Sequence, residues 1–403
     1  MFYGWRVVGG IFVSQLFVVG FFTYAASMLV APVREEFGVN LEQVMYGLTA
    51  GTFFGLFLTP LAGVMIDRYP VRWLMAGGAV CFTAGLWLLS QAPTITAYVW
   101  IFGFTMSISN IFAGAMCGSA VIARWFTASR GRALGVSAIG VSVGGVLLPW
   151  LLNQWIQDHG WRVALEYMAA GGLFFMVPLV FLTVRGKPAD VGLEPEADGL
   201  APGVMPEDEA LTLLQVLRSR GYWLLGVSLG ILFSAYSSTL SNMTPYILDL
   251  GHGESQASTM IMTIAISGFF GKLLFGVAAD KLSLKLGLWI TQFALLTGFL
   301  ILAAEPAFSL MLVAAGVIGL SAGGMLPIWG AMMARIFGLL SYGRAMGLMG
   351  PLITLCVMPG YTLVGRLYDI SGSYVPALLC FSVGLVVSAL LVLPLQSRDG
   401  GRL

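Results

Sequence analysis

The chain has 403 residues, 58% of them hydrophobic and 10% charged, with a net charge of +1. Soluble domains carry roughly 25% charged residues, so the composition excludes an ordinary soluble protein, and the near-neutral balance argues against a nucleic-acid partner. Apolar runs of about 20 residues, enough to cross a hydrocarbon core of about 30 Å, recur along the whole length instead.

In chain order these runs predict twelve membrane helices, near 7–30, 44–66, 74–92, 97–122, 134–156, 163–184, 222–247, 257–279, 286–304, 307–333, 347–365 and 375–395. The first is long and lacks a small-residue cleavage site followed by a soluble domain, so it is expected to be a retained helix rather than a signal peptide. Between the sixth and seventh runs, "RGKPADVGLEPEADGLAPGVMPEDEALTLLQ" is polar, acidic and rich in Pro and Gly, the composition of a linker. The expected organisation is an all-α membrane protein with an N-terminal six-helix bundle (1–184), a cytoplasmic linker (185–221) and a C-terminal six-helix bundle (222–403). An amphipathic stretch near 209–218 leads into helix seven.

Cations set the expected orientation. With the N-terminus in the cytoplasm, sixteen of the twenty Lys and Arg fall on that side; Arg34, Arg162 and Arg366 fall outside and Lys272 lies in a span. Both termini are therefore expected to be cytoplasmic, in a bacterial inner membrane. Cys81, Cys117, Cys356 and Cys380 sit separately in hydrophobic runs, and His159 and His252 fall in short outer loops. None has metal-ligand spacing, and there is no phosphate loop or catalytic triad, so no enzyme activity, cofactor or metal is expected.

The halves repeat. "GVMIDRYPVR" at 63–72 returns as "GVAADKLSLK" at 276–285, an offset of 213, and "ARWFTASRGRALG" at 123–135 returns as "ARIFGLLSYGRAMG" at 334–347, with Arg132 and Arg344 offset by 212. Two six-helix units of the same orientation are the parallel repeat of carriers that bind substrate near mid-bilayer. Transport is the function this predicts.

These residues resemble the major facilitator superfamily, whose loop after helix two carries Gly, Asp-Arg or Asp-Lys and a further basic residue. Gly63, Asp67, Arg68 and Arg72 match it, and Gly276, Asp280, Lys281 and Lys285 match it more loosely. Within that superfamily the chain is similar to the monocarboxylate and oxalate/formate porter branch, through "YGWRVV" at 3–8, "RWFTASRGRALGVSAIGVSVGG" at 124–145, "GWR" at 160–162 and "GRLYDISGSY" at 365–374. The resemblance implies that Asp67 and Arg132 act as a conformational latch, joined by Arg68, Arg72, Asp280 and Arg344. A plain topogenic role for the basic members is the alternative. Gly47, Gly51 and Gly55 on helix two, with Gly140 and Gly144 on helix five, form small faces for close helix packing.

Lys272, in "ISGFFGKLLFGVAADK" at 266–281, is the singular charge. It precedes Asp280 by eight residues, roughly 12 Å at 1.5 Å per residue, close to the midplane of a core about 15 Å in half-thickness. A charge there costs on the order of 2.5–3.5 kcal/mol. Snorkelling to the near interface is the alternative, but helical side chains lean toward their own N-terminus, which here points the stem toward mid-membrane. Glu166, the acidic residue nearest the membrane interior, belongs near the outer end of helix six, so the expected counter-charge is an anion from solution. The resemblance points the same way, since this branch commonly carries a carboxylate-binding arginine at the position of Lys272. Lysine gives weaker geometric selection of a planar carboxylate, and Gly268 stands where proton-coupled members have an aspartate.

Further substrate-site candidates are the mid-depth groups Gln15, Tyr24, Asn110, Asn153, Tyr236, Asn242 and Trp329, each of which serves equally well as a bond between helices. The reading is a secondary transporter for a small organic anion, most simply a monocarboxylate, with symport of a proton, exchange for a counter-anion and uniport all open. The expected partners are that anion and the lipid bilayer, and a monomer is expected. The alternatives are an efflux pump for amphipathic drugs or larger anions, and a sensor or scaffold that binds without transporting.

Overall fold

The structure, a computed structural model, describes residues 2–126, 130–194, 211–278, 283–337 and 341–395. The chain forms two compact units, Met1–Val204 and Met205–Leu403.

Unit 1 starts with α1 (Gly4–Gly20), which passes through a π-helical turn at Phe21–Ala25 and a 3-10 turn at Ala26–Leu29 into α2 (Val30–Phe37). Gly38, at φ 60°, ends this run in the left-handed conformation that glycine adopts without a Cβ penalty. The unit continues with α3 (Leu41–Arg68), α4 (Val71–Ser90), α5 (Ile95–Phe112), α6 (Ala115–Trp125), α7 (Arg130–Gly171) and α8 (Val177–Thr183). Asn40 and Gln43 close a capping box at the start of α3, satisfying amides that the first turn leaves open. Unit 2 holds α9 (Leu213–Arg218), α10 (Arg220–Ser241), α11 (Met243–Asp249), α12 (Glu254–Ala278), α13 (Leu284–Ala303), α14 (Phe308–Phe337), α15 (Tyr342–Ser371) and α16 (Val375–Val392).

Ten continuous segments among the described residues are long and apolar enough to cross a membrane. One of them, Arg132–Thr183, spans 52 residues and counts twice, because Gly160 breaks α7 at φ 81°. The 28-residue α3 covers the remaining predicted run. Two other runs are broken rather than straight. α5 gives way to α6 at Ala113–Gly114, where Ser14 Oγ donates to the Ala113 carbonyl at 2.5 Å; α10 gives way to α11 at Asn242. Breaks of this kind survive in lipid only where other groups satisfy the freed backbone.

The same helix pairings occur inside each unit. α1 packs on α7, α3 on α5 and α4 on α5; α10 packs on α15, α12 on α14 and α13 on α14. The duplication in the loop signatures is thus repeated in the packing.

Glycine decides how close these pairs come. A Cβ on Gly140 would collide with the Phe12 carbonyl oxygen, and one on Gly144 with the Leu16 carbonyl oxygen, so α1 and α7 meet backbone to backbone. Gly51 faces Gly103 across α3 and α5, whereas Gly55 has nothing within 4 Å of where its Cβ would be. The helix-two glycines therefore split between packing and open space. We predict that Gly144→Ala costs about 1–3 kcal/mol through overpacking and lowers the midpoint of thermal unfolding in detergent, while Gly55→Ala leaves it unchanged or slightly raised.

Candidate functional site

Lys272 lies on α12, six residues before Ala278 and eighteen after Glu254, or about 9 Å and about 27 Å along the helix axis. Its side chain is half-buried. The backbone beneath it is fixed by a close crossing of α12 and α14. A Cβ on Gly323 of α14 would sit 2.5 Å from both the Lys272 backbone nitrogen and the Gly268 carbonyl oxygen, and one on Gly271 would sit 2.5 Å from the Leu320 carbonyl oxygen. At the 213-residue repeat offset, the position matching Lys272 is Thr59 of α3, whose hydroxyl simply donates to the Gly55 carbonyl at 2.6 Å. The two copies of the repeat therefore differ in charge at this position.

Of the seven neutral candidates, four lie in unit 1 and three in unit 2. In unit 1, Gln15 of α1 is buried and its amide donates to Ser137 Oγ of α7 at 3.5 Å. Asn153 of α7 is buried and accepts from Gln157, one turn on, at 3.4 Å. Tyr24 is buried in the π-helical turn after α1, where its carbonyl accepts from Ser27. Asn110 is half-buried one turn before the α5–α6 break, with its carbonyl against Gly114.

In unit 2, Tyr236 is buried on α10. Asn242, 2% exposed, donates from Nδ2 to the Ser238 carbonyl at 2.9 Å, while its Oδ1 has no hydrogen-bond partner among the described residues. It borders a small pocket within this unit, walled also by Met243, Tyr246, Leu302 and Tyr374. Trp329 of α14 lies edge-on to Phe233 of α10 at 5.8 Å, and its buried Nε1 has no hydrogen-bond partner among the described residues. Asn242 and Trp329 thus each keep a buried polar atom in reserve, the kind of group a ligand satisfies.

The signature residues near the chain start knit unit 1 together. Arg72 Nε donates to the Phe181 carbonyl at 2.8 Å and its guanidinium stacks on the Phe181 ring at 3.8 Å, so it caps the C-terminal end of α8. Arg124 does the same for α3, donating to the Ile66 carbonyl at 3.0 Å. "YGWR" and "RWF" touch: Tyr3 stacks on Trp125, and Trp5 and Phe2 meet Phe126 edge-on. Arg68 and Arg132 are exposed. Asp280, and the side chains of Asp67 and Arg344, lie outside the described residues.

At the opposite end of unit 1, "GWR" explains itself. Gly160 turns the chain, and the two following side chains clamp three helices. Arg162 donates from Nε to Glu36 Oε1 at 2.8 Å and from Nη2 to the Ala92 carbonyl at 2.8 Å, while Trp161 Nε1 donates to Glu36 Oε2 at 2.5 Å. Nearby, Glu166 accepts from Gln91 at 2.8 Å and from Ser90 at 3.2 Å. Glu36 and Ser90 escaped the sequence reading, as did a buried knot in unit 2. There Gln292 of α13 donates to Ser228 Oγ of α10 at 3.0 Å and Ser388 Oγ of α16 at 2.7 Å. Their signal was a polar side chain inside an apolar run, which Ser and Gln give too often to single out.

Two bundles of membrane-crossing helices with matching internal packing define a membrane carrier. A model of the Major Facilitator Superfamily matches residues 11–282, and the chain belongs to that superfamily, a family of transporters rather than enzymes. Among known proteins it is 25% identical over 320 residues to the Agnestins efflux protein AgnL12 of Paecilomyces divaricatus, covering 77% of this chain and 68% of that one. It is 25% identical over 330 residues to mouse Monocarboxylate transporter 11, covering 78% and 70%. Likeness to the riboflavin transporter RibJ of Trypanosoma brucei brucei is 31% over 129 residues, only 30% of this chain and 23% of that protein. A solved D-xylose–proton symporter shares the fold at TM-score 0.73 and 15% identity, over 99% of this chain and 98% of that one.

The clamp yields a prediction. Arg162→Lys keeps the charge but loses the planar fork, and with Glu36→Gln it should show a coupling of about 1 kcal/mol or more in a double-mutant cycle of thermal stability. Additive effects would show that the pair is not energetically linked.

Proposed function

We propose that the protein is a secondary transporter that moves a small organic anion, a monocarboxylate in the simplest case, by alternating access, with Lys272 supplying the positive charge. The observation that carries this reading is a lysine held at a glycine-lined helix crossing in a lipid-spanning segment, at a position where the first copy of the repeat has a neutral threonine. Ionisable groups in such segments are costly and mark substrate or ion pathways. The further groups proposed to orient cargo are Trp329, Asn242 and Tyr236 in unit 2, of which the first two have buried polar atoms available, and Asn110, Tyr24, Gln15 and Asn153 in unit 1. The proposed latch comprises Asp67, Arg68, Arg72, Arg132, Asp280 and Arg344, with both chain termini in the cytoplasm.

The relative named as a monocarboxylate transporter supports the choice of cargo. Export of a larger or amphipathic anion is the second reading, favoured by the equally similar relative named as an efflux protein. Uptake of labelled lactate, pyruvate, formate and oxalate into proteoliposomes, with lipophilic anions as competitors, separates the two. Lys272→Ala should lower carboxylate uptake at least tenfold and Lys272→Arg should keep a measurable part of it. Normal uptake by the Ala variant contradicts the proposed role, and counterflow without accumulation would mark a binder that does not transport.

A further inference from the structure

The segment that leads into unit 2 carries a surface of its own. α9 is capped by Thr212 and Gln215, whose side chains bond each other's backbone amides at 2.7 and 3.3 Å. It is pinned at two points: the Leu211 amide donates to Ser341 Oγ at 2.8 Å, and Trp223 Nε1 donates to the Leu217 carbonyl at 2.8 Å. Val216 is fully buried beneath it.

What faces away is apolar and cationic together. Leu213 and Leu214 are 52% and 56% exposed and Trp223 is 50% exposed, and Arg218 and Arg220 beside them are exposed as well. At 100° per residue, Val216, Leu213, Leu217 and Leu214 form one continuous arc of α9 and Arg218 borders it. The chain then enters α10, a membrane-crossing segment, so this surface stands at the boundary between hydrocarbon and water. In unit 1, by contrast, the aromatic groups at the chain start pack onto Trp125 and Phe126.

Exposed leucines would be a liability in water, and among the described residues neither arginine has an ion-pair partner. Both are accounted for at a bilayer surface, where an interfacial helix sinks its apolar arc to the acyl boundary, Trp sits at headgroup level, and Arg meets phosphate. We propose that Leu213, Leu214, Arg218, Arg220 and Trp223 form a docking surface for anionic phospholipid headgroups, tying the start of unit 2 to the membrane plane.

The test places the photoreactive residue of Leu214→benzoylphenylalanine in the full chain, reconstituted in nanodiscs of phosphatidylglycerol and phosphatidylcholine, and identifies cross-linked lipid by mass. Each basic group at an anionic surface is worth about fivefold in local lipid preference. With two such groups, the phosphatidylglycerol-to-phosphatidylcholine ratio among cross-links should exceed the bulk ratio by roughly 25-fold. Arg218→Gln with Arg220→Gln should bring the ratio back toward bulk composition, and Arg218→Lys with Arg220→Lys should retain most of the enrichment, which separates loss of charge from loss of fold. Cross-links that follow bulk composition in the parent chain, that go only to protein, or that keep their enrichment in the Gln variant overturn the proposal.

Discussion

The backbone contact between α12 and α14 fixes where Lys272 is rooted in a long apolar helix, and an ionisable group in such a helix is costly. Gly271 and Gly323 let the two backbones touch directly, at the residue that carries the amine. No side chain separates the helices there, so Lys272 has a fixed root although its stem is flexible. The rest of unit 2 supports that crossing: α13 packs on α14 on one side, and Gln292 ties α13 to α10 and α16 through Ser228 and Ser388. Buried amide and hydroxyl groups bind helices together in lipid because they find no water there to bond instead.

The two units use one plan with different emphasis. Both pair their first helix with the fifth and their second with the fourth. Unit 1 invests its polar chemistry at its two ends, in the Arg72 and Arg124 caps and in the Arg162–Glu36 clamp. Unit 2 puts more of it at depth, in Lys272, the serine–glutamine knot, Asn242 and Trp329.

The helical architecture was readable in the sequence because a hydrocarbon core imposes a length and an apolarity that few residues can satisfy by chance, and because a duplicated loop signature repeats at a nearly constant offset. Breaks within helices were less visible. Gly114 and Asn242 sit in runs that read as continuous, since hydropathy does not register a missing backbone bond. The packing role of Gly144 was legible, yet Gly55, at the same spacing as Gly51, proved to face open space; a four-residue period names a stripe and leaves open what lies across from it. Lys272 was conspicuous because a charge inside an apolar run is rare. Arg124, Glu36 and Gln292 were not, because their roles depend on carbonyls and hydroxyls far away in sequence.

Binding, measured apart from movement, reaches the central claim most directly. Thermal unfolding of the purified protein should shift upward with small carboxylates and stay put with their matched amides, which have the same shape without the charge. The shift should vanish in Lys272→Ala. An equal shift with acid and amide, or one that survives loss of the lysine, would contradict the account.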